Sequence, residues 1–415
     1  MGLKYKRIFQ AGLSVLLGFC LVLNCFCNPV QALTQEQRLV VEAWRIVNRS
    51  YLDDSFNHQS WSNVRKKALK QPLNDYESAY KAIRKMLEGL DDPFTRFLDP
   101  QQYRSLKVNT SGELTGVGLQ IALNSKTGKL EVVTPIDGSP ADKAGIKPHD
   151  RILEIEGIST DKLSLDEAAN RMRGSIGSLI TLLIQTDQEV AKEVRLTRDR
   201  IELNPVIAEL RSSSEGMLFG YIRLTQFNAN ASSELNTAIS SLEKKGAEAY
   251  ILDLRNNPGG LLQAGVEVAR MWLDDGTIVY TVNRQGIQGS FDAKGTAITK
   301  APLVVLVNEG TASASEILAG ALQDNKRALL VGTTTFGKGL IQSLFELFNG
   351  SGIAVTIAKY ETPNHRDINK QGIKPDKIIV SEPMLREDVA TDKDTQYQAA
   401  LKILASQNSR VNIKS

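Results

Sequence analysis

Pro302-Leu-Val-Val-Leu-Val-Asn308, followed after Glu309 by Gly310-Thr-Ala-Ser-Ala-Ser-Glu316, decides how this chain of 415 residues is built. A short continuous apolar run bounded by a turn reads as a strand buried on both faces, the kind found in parallel sheets. The segment behind it carries the Ser313 to Glu316 spacing of a helix start, so strand passes to helix through a loop. Ala328-Leu-Leu-Val331 is a second such run, and it leads into Phe336-Gly-Lys-Gly-Leu-Ile-Gln342. Two buried strands that deliver loops to one edge of a sheet make the class α/β, and such edges are where chemistry collects.

The pattern extends upstream. Residues 217–224 and 249–254 read as strands, and 231–244 and 261–273 as helices, which alternate in α/β fashion. Downstream, Asn349-Gly-Ser-Gly352 between 340–347 and the alternating 353–360 predicts a β-hairpin. Near the N-terminus, 34–49, 60–69 and 75–87 are amphipathic helices, with Thr34 and Gln37 at capping-box spacing and Gly89 as a stop.

Ser313 and Lys338 are the candidate reacting pair. The chain has three histidines, His58, His149 and His365, none in a motif suited to activating a serine. Lysine can replace histidine as a base only when neutral. Lowering its pKa from about 10.4 to about 7.5 costs roughly 4 kcal/mol, which an apolar pocket supplies by desolvation. Phe336, Leu340 and Ile341 are the expected walls, and Gly337 and Gly339 allow close backbone approach. Each half also has a plain structural reading: a lysine between glycines as a solvated turn, and Ser313 to Glu316 as an ordinary helix cap.

Gly332-Thr-Thr-Thr-Phe-Gly-Lys338 matches seven positions of the phosphate-binding P-loop, but Gly339 stands where Ser or Thr must hold magnesium. The predicted strand over 340–347 replaces the capped helix that motif requires, so nucleotide binding is set aside.

These segments resemble the carboxyl-terminal processing proteases, serine endopeptidases with a Ser-Lys dyad and an inserted PDZ domain. The resemblance covers nearly all of the chain after its leader. It implies an α/β, crotonase-like protease core with an inserted PDZ domain and a helical N-terminal region. It makes Ser313 the nucleophile, Lys338 the general base and Gln342 the residue that orients the amine. In Leu252-Asp-Leu-Arg-Asn-Asn-Pro-Gly-Gly260 it places an oxyanion donor at the Gly259 N–H, with the N–H of Ala314 as the second; rigid donors there would be worth roughly 3 to 4 kcal/mol each. Glu316 resembles an acidic position near the dyad, with helix capping as the competing account. No cofactor and no metal are expected.

The PDZ resemblance rests on Thr115-Gly-Val-Gly-Leu-Gln-Ile121, then 132–146 and Asp150-Arg-Ile-Leu-Glu-Ile-Glu-Gly157, then a helical segment over 164–172. Gly116, Val117, Gly118 and Leu119 are the implied carboxylate-binding loop, where successive N–H groups turn towards a peptide C-terminus. His149 and His365 stand where glycine is common in relatives, and neither is assigned chemistry.

Lys4, Lys6 and Arg7 precede an apolar stretch over 8–26, and Val30-Gln-Ala32 offers small residues at signal-cleavage positions. An uncleaved membrane anchor is the competing reading, because the stretch approaches spanning length. Cys20, Cys25 and Cys27 all fall inside this leader, so a cleaved chain would hold no disulfide. The formal charge of +3 is that of the leader's three basic residues, which leaves the remainder neutral (3 − 3 = 0) and gives nucleic-acid binding no support. The expected divisions are 1–32 leader, 33–105 helical region, 106–200 PDZ, 201–385 protease core and 386–415 C-terminal segment. Export to a thylakoid lumen or periplasm follows. The resemblance to cyanobacterial and chloroplast members suggests the photosystem II reaction-centre precursor as substrate, and with it thylakoid membrane proteins as partners. General periplasmic trimming and an inactive PDZ scaffold are the alternatives.

Overall fold

The computed structural model describes residues 33–124, 127–136, 138–186, 189–382 and 386–412. The proposed leader lies outside them. Among the described residues no helix is long and apolar enough to cross a membrane.

The N-terminal region packs three helices, α1 (Gln35–Ser50), α2 (Trp61–Leu69) and α3 (Tyr76–Glu88). Thr34 and Gln37 exchange 3.2 Å hydrogen bonds at the start of α1, which closes the capping box expected there. Leu39, Val40, Ala43 and Val47 form one stripe of α1 and meet Ala79, Ala82, Ile83 and Met86 of α3 in a common cluster. That cluster also takes in Ile353 and Val355 from far along the chain. The segment 90–96 then leads into β1 (Arg96–Leu98) and α4 (Pro100–Ser111). Asp99 caps α4 and Gly112 ends it at φ 69°, where glycine avoids a Cβ penalty.

The next unit holds β2 (Glu113–Gly116), β3 (Leu119–Leu123), β4 (Leu130–Pro135), α5 (Pro140–Lys143), β5 (Arg151–Ile155), β6 (Ile158–Ser159), α6 (Leu165–Met172), β7 (Leu179–Gln185), β8 (Lys192–Thr197) and β9 (Asp199–Glu202). β2 pairs antiparallel with β9, so the chain enters and leaves this unit side by side. Its sheet runs β3-β4-β5-β7-β8, with β6 beside β5, and leaves β3 on an edge. Its core, including Val117, Ile152, Ile155, Ala168 and Ile180, is separate from the others.

The core sheet is built from β10 (Val206–Ser212), β11 (Leu218–Leu224), β12 (Ala249–Asp253), β15 (Leu303–Val307), β16 (Leu329–Gly332) and β19 (Lys377–Ile378), in that order. Pairings are parallel except β10 with β11. All five residues of β15 are buried. Leu303, Val305 and Val307 face one cluster, and Val304 and Leu306 the other, which is the two-faced burial the unbroken apolar run predicts. Each fully buried Val or Leu contributes about 1.5–3 kcal/mol. The first cluster is shared by α7 (Ala231–Lys244), α8 (Leu262–Arg270) and α9 (Ala314–Asp324); the second by α10 (Thr395–Asn412).

A second sheet shares no strand with the first. Its long strand β18 (Gly352–Glu361) pairs on one side with β17 (Leu340–Glu346), forming the expected hairpin. On the other side it meets β1 and β13 (Thr277–Asn283), and β13 pairs with β14 (Gly286–Asp292). One reading needs correction: the helix expected over 261–273 is α8 alone, ending at Arg270. Trp272 and Leu273 leave the helix and bury themselves in the core, Trp272 edge-on to Tyr250.

Candidate active site

The carboxyl ends of β12, β15 and β16 carry three loops to one cleft of about 460 Å³. Gly259, Ser313, Ala314, Lys338 and Gln342 all line it, so residues spread over 84 positions (342 − 258) are brought together as expected. Leu106 and Thr110 of α4, together with Leu261, Ile317, Leu340 and Ile341, give it apolar walls.

Ser313 stands at the N-terminus of α9 with φ 58° and ψ −118°. A non-glycine residue at positive φ is strained by about 1–3 kcal/mol, a conformation held only where its surroundings over-determine it. Those surroundings are visible. Ala312 N–H donates to Asn257 O at 3.0 Å, and the Ser315 hydroxyl donates to the same carbonyl at 3.0 Å. Ser313 N–H donates to Glu316 Oε2 at 2.9 Å.

Glu316 is fully buried, and its carboxylate does more than cap α9. Oε1 accepts from Thr335 Oγ1 at 2.6 Å and from Gly337 N–H at 2.7 Å, and Oε2 also accepts from Lys338 N–H at 2.9 Å. One carboxylate thus binds the main chain of both Ser313 and Lys338. Tyr360, on β18, reaches the same two residues from the carbonyl side, its hydroxyl 2.7 Å from Lys338 O and 3.0 Å from Ser313 O.

Burial holds the Lys338 ammonium below the ordinary lysine range, and the guanidinium of Arg96 pushes it further down; the carboxylates of Asp92 and Glu316 pull the other way. The expected walls Leu340 and Ile341 are in place, but Phe336 is 58% exposed and absent from the cleft. Its N–H is tied to Thr311 O, and the ring turns to solvent. The ring that covers the amine is Phe94, its centroid 4.8 Å from Nζ. Phe94 is set by an Asx turn in which Asp92 Oδ1 accepts its N–H and Oδ2 accepts the Thr95 hydroxyl. Gly337 and Gly339 do permit close approach: a Cβ on either would lie 2.9 or 2.8 Å from a backbone nitrogen of 369–372.

The turn at Gly259 packs directly on Ser313, where a Cβ would sit 2.5 Å from Ala312 O and 2.8 Å from Ala314 N. Gly259 N–H, however, donates to Asn257 Oδ1 at 2.9 Å inside the turn. In this arrangement that donor is committed to the turn and is not presented to the cleft, contrary to the reading of Gly259 as a free oxyanion donor. Ala314 N–H opens α9, where no earlier carbonyl of the helix can accept it. Gln342 lines the cleft beside Lys338, and its amide donates to Thr356 Oγ1 at 3.3 Å.

In the inserted unit, Gly118 has φ 78° and lies so close to Ser139 that a Cβ would fall 2.2 Å from the serine Cβ. Gly118 O accepts from Ile136 N–H and Ser139 Oγ, and Val117 O from Ala141 N–H. The carbonyls of Val117 and Gly118 thus point into the unit, and the loop leads into edge strand β3. His149, at φ 71°, adopts the left-handed turn conformation of the glycine it replaces. His365 stacks on Tyr280 and lies 3.2 Å from Glu361; neither histidine lines the cleft.

The profile of peptidase family S41 matches residues 218–379, and that of the PDZ domain matches residues 131–186. The carboxyl-terminal-processing protease of Synechocystis sp. is 56% identical over 405 residues, covering 97% of this chain and 95% of that one. The chain belongs to peptidase family S41. This S41 peptidase is also 45% identical to the chloroplastic C-terminal processing peptidase of Tetradesmus obliquus, over 84% of its own length and 78% of the relative's. A solved photosystem II D1 C-terminal processing protease is 42% identical, with TM-score 0.57 over 88% of this chain and all of that one. The S41 peptidase described here is therefore a carboxyl-terminal-processing serine protease with a PDZ domain.

Sequence reasoning missed Phe94, Arg96, Asn257 and Tyr360. Phe94 and Arg96 lie some 240 residues from Lys338, and no spacing rule connects them. Asn257 was within reach, since an Asn two residues before a glycine is an Asx-turn signal.

Proposed function

We propose that this S41 peptidase removes C-terminal extensions from precursor proteins, that its PDZ domain binds their C-termini, and that the photosystem II reaction-centre precursor is its substrate. The observation that carries the chemistry is the shared cleft. Ser313 and a desolvated Lys338 face it together, and no histidine lines it.

Neutral Lys338 takes the proton of Ser313 Oγ as the oxygen attacks the substrate carbonyl. The oxyanion is met by Ala314 N–H, reinforced by the dipole of α9. The lysine ammonium then protonates the leaving amine, and water hydrolyses the acyl-enzyme. Gln342 orients the amine from the cleft wall. Glu316 touches main chain rather than reacting atoms and serves as a positioning residue. In the PDZ unit, N–H groups of Gly116, Val117, Gly118 and Leu119 receive a terminal carboxylate while the peptide adds to β3.

The divisions at 33–105, 106–200, 201–385 and 386–415, a crotonase-like core and a lumenal or periplasmic location complete the reading. A relative named as a photosystem II D1 C-terminal processing protease supports the substrate, and thylakoid membrane proteins as partners follow from it. Purified protein incubated with C-terminally extended reaction-centre precursor is expected to yield the trimmed form, and Ser313→Ala to yield none. Undiminished cleavage by that variant would overturn the mechanism. Efficient trimming of unrelated precursors with the photosystem precursor left uncut would overturn the substrate.

A further inference from the structure

Beyond Gly332 the Lys338 segment leaves the core sheet. β15 and β16 pair only as far as Val307 with Gly332, and residues 333–339 have no regular structure. Main-chain bonds hold the neighbours of Lys338, Phe336 N–H to Thr311 O and Lys370 N–H to Gly337 O, but at Lys338 itself the ties to Ser313 are made by side chains. Glu316 holds the N–H groups. The carbonyl side is held by one residue of the other sheet, Tyr360, which is 1% exposed.

The phenol has one proton and two acceptors. Ser313 O is already served by Glu316 N–H at 2.8 Å and Ile317 N–H at 3.0 Å. Lys338 O is the nearer acceptor at 2.7 Å and, among the described residues, has no other donor. Tyr360 therefore spends its proton chiefly on Lys338 O. Burial, with Glu316 nearby, raises its own ionisation well above the ordinary tyrosine range, so the hydroxyl keeps its proton to donate. The residue next to Lys338 is pinned by the same strand position, Tyr360 N–H donating to Gly339 O at 3.0 Å.

We propose that Tyr360 is a positioning residue for the reaction: its hydroxyl fixes the main chain of Lys338 against that of Ser313, so that the amine meets the serine oxygen. This rests on the Ser313–Lys338 reading above. Removing the hydroxyl alone acts on turnover more than on substrate affinity, since the hydroxyl bonds only the main chain of Lys338 and Ser313 while the ring keeps its place in the cleft lining.

The test is Tyr360→Phe, which keeps the buried ring and removes only the hydroxyl. With a C-terminally extended peptide, kcat should fall about 10- to 100-fold, the range expected for a small misplacement of a catalytic group, while KM stays within about twofold. The acid limb of the kcat/KM profile should move, because a loosened segment admits water to the amine. A thermal midpoint close to wild type shows that the fold is kept. Wild-type kcat and an unmoved pH profile in Tyr360→Phe would overturn the proposal, as would equal losses in kcat and affinity for the PDZ-bound peptide. Ser313→Ala run alongside separates the two readings: activity in that variant sinks the dyad, whereas an inactive Ser313→Ala beside a fully active Tyr360→Phe sinks only the role of Tyr360.

Discussion

Glu316 and Lys338 are joined by a hydrogen bond through the main chain: Oε2 of the buried carboxylate accepts the Lys338 N–H at 2.9 Å. The same oxygen accepts Ser313 N–H, so any displacement of the carboxylate moves both residues.

Glu316→Gln should therefore lower kcat on the order of 100-fold, because a glutamine amide turns an N–H2 towards donors that need an acceptor. Each donor left unsatisfied costs about 1–3 kcal/mol. Steady-state kinetics together with urea unfolding checks this, and wild-type kcat with unchanged stability would refute it.

Arg96→Gln removes the cation that helps burial lower the Lys338 pKa. The lysine pKa should rise towards its ordinary value, and the acid limb of kcat/KM should shift to higher pH. A profile superimposable on wild type would show that burial alone sets the base.

Lys338 also bears on stability. Its folded pKa lies below the unfolded one, so between the two values the unfolded chain binds more protons and stability rises with pH. Below both, the cost of burying the ammonium is fully present. Lys338→Met should abolish activity and raise the thermal midpoint at neutral pH, with the gain vanishing as pH climbs past about 10.4. A lowered midpoint at neutral pH would contradict the desolvated amine.

Arg255 is buried with Asp253 and Asp394, its Nη2 2.6 and 2.8 Å from their carboxylates. Burial alone would raise the Asp394 pKa, but Arg255 and the N–H groups of Ala390 and Tyr397 hold it below the usual range. That stability is present above the unfolded value of about 3.9 and lost as pH falls through the folded one. Arg255→Ala strands two buried carboxylates and should cost about 3–5 kcal/mol, read by urea unfolding at pH 7.

Gly118→Ala meets Ser139 at a backbone angle that glycine alone tolerates well. Affinity for a C-terminal peptide should drop at least tenfold while cleavage of a short, PDZ-independent peptide stays near wild type. Equal affinity in both proteins would remove the loop from recognition.

The elements that were legible in the sequence share a physical cause. β15 is apolar at every position because both its faces are covered, and α1 and α3 show stripes because only one face is. Ser313, Lys338 and Gln342 were legible because each sits in a local motif beside an element boundary. Phe94 and Tyr360 were not, since their roles arise from contacts between segments distant in the chain that local pattern does not encode. Phe336 misled for the same reason: its hydrophobicity was visible, but not the hydrogen bond to Thr311 that turns its ring outward. Gly259 was read as an oxyanion donor, while the partner that takes its N–H, Asn257 Oδ1, was not visible.

β1 pairs with β18 across some 250 residues, Arg96 opposite Ala354 and Leu98 opposite Gly352. Contacts so distant along the chain form late, and during synthesis they cannot form before residue 354 has been made. The ring over the lysine amine just precedes β1, and the phenol bonded to the lysine carbonyl lies on β18, beyond the same end of that pairing. A nascent or unfolded copy thus holds its serine and lysine without the environment that makes them reactive.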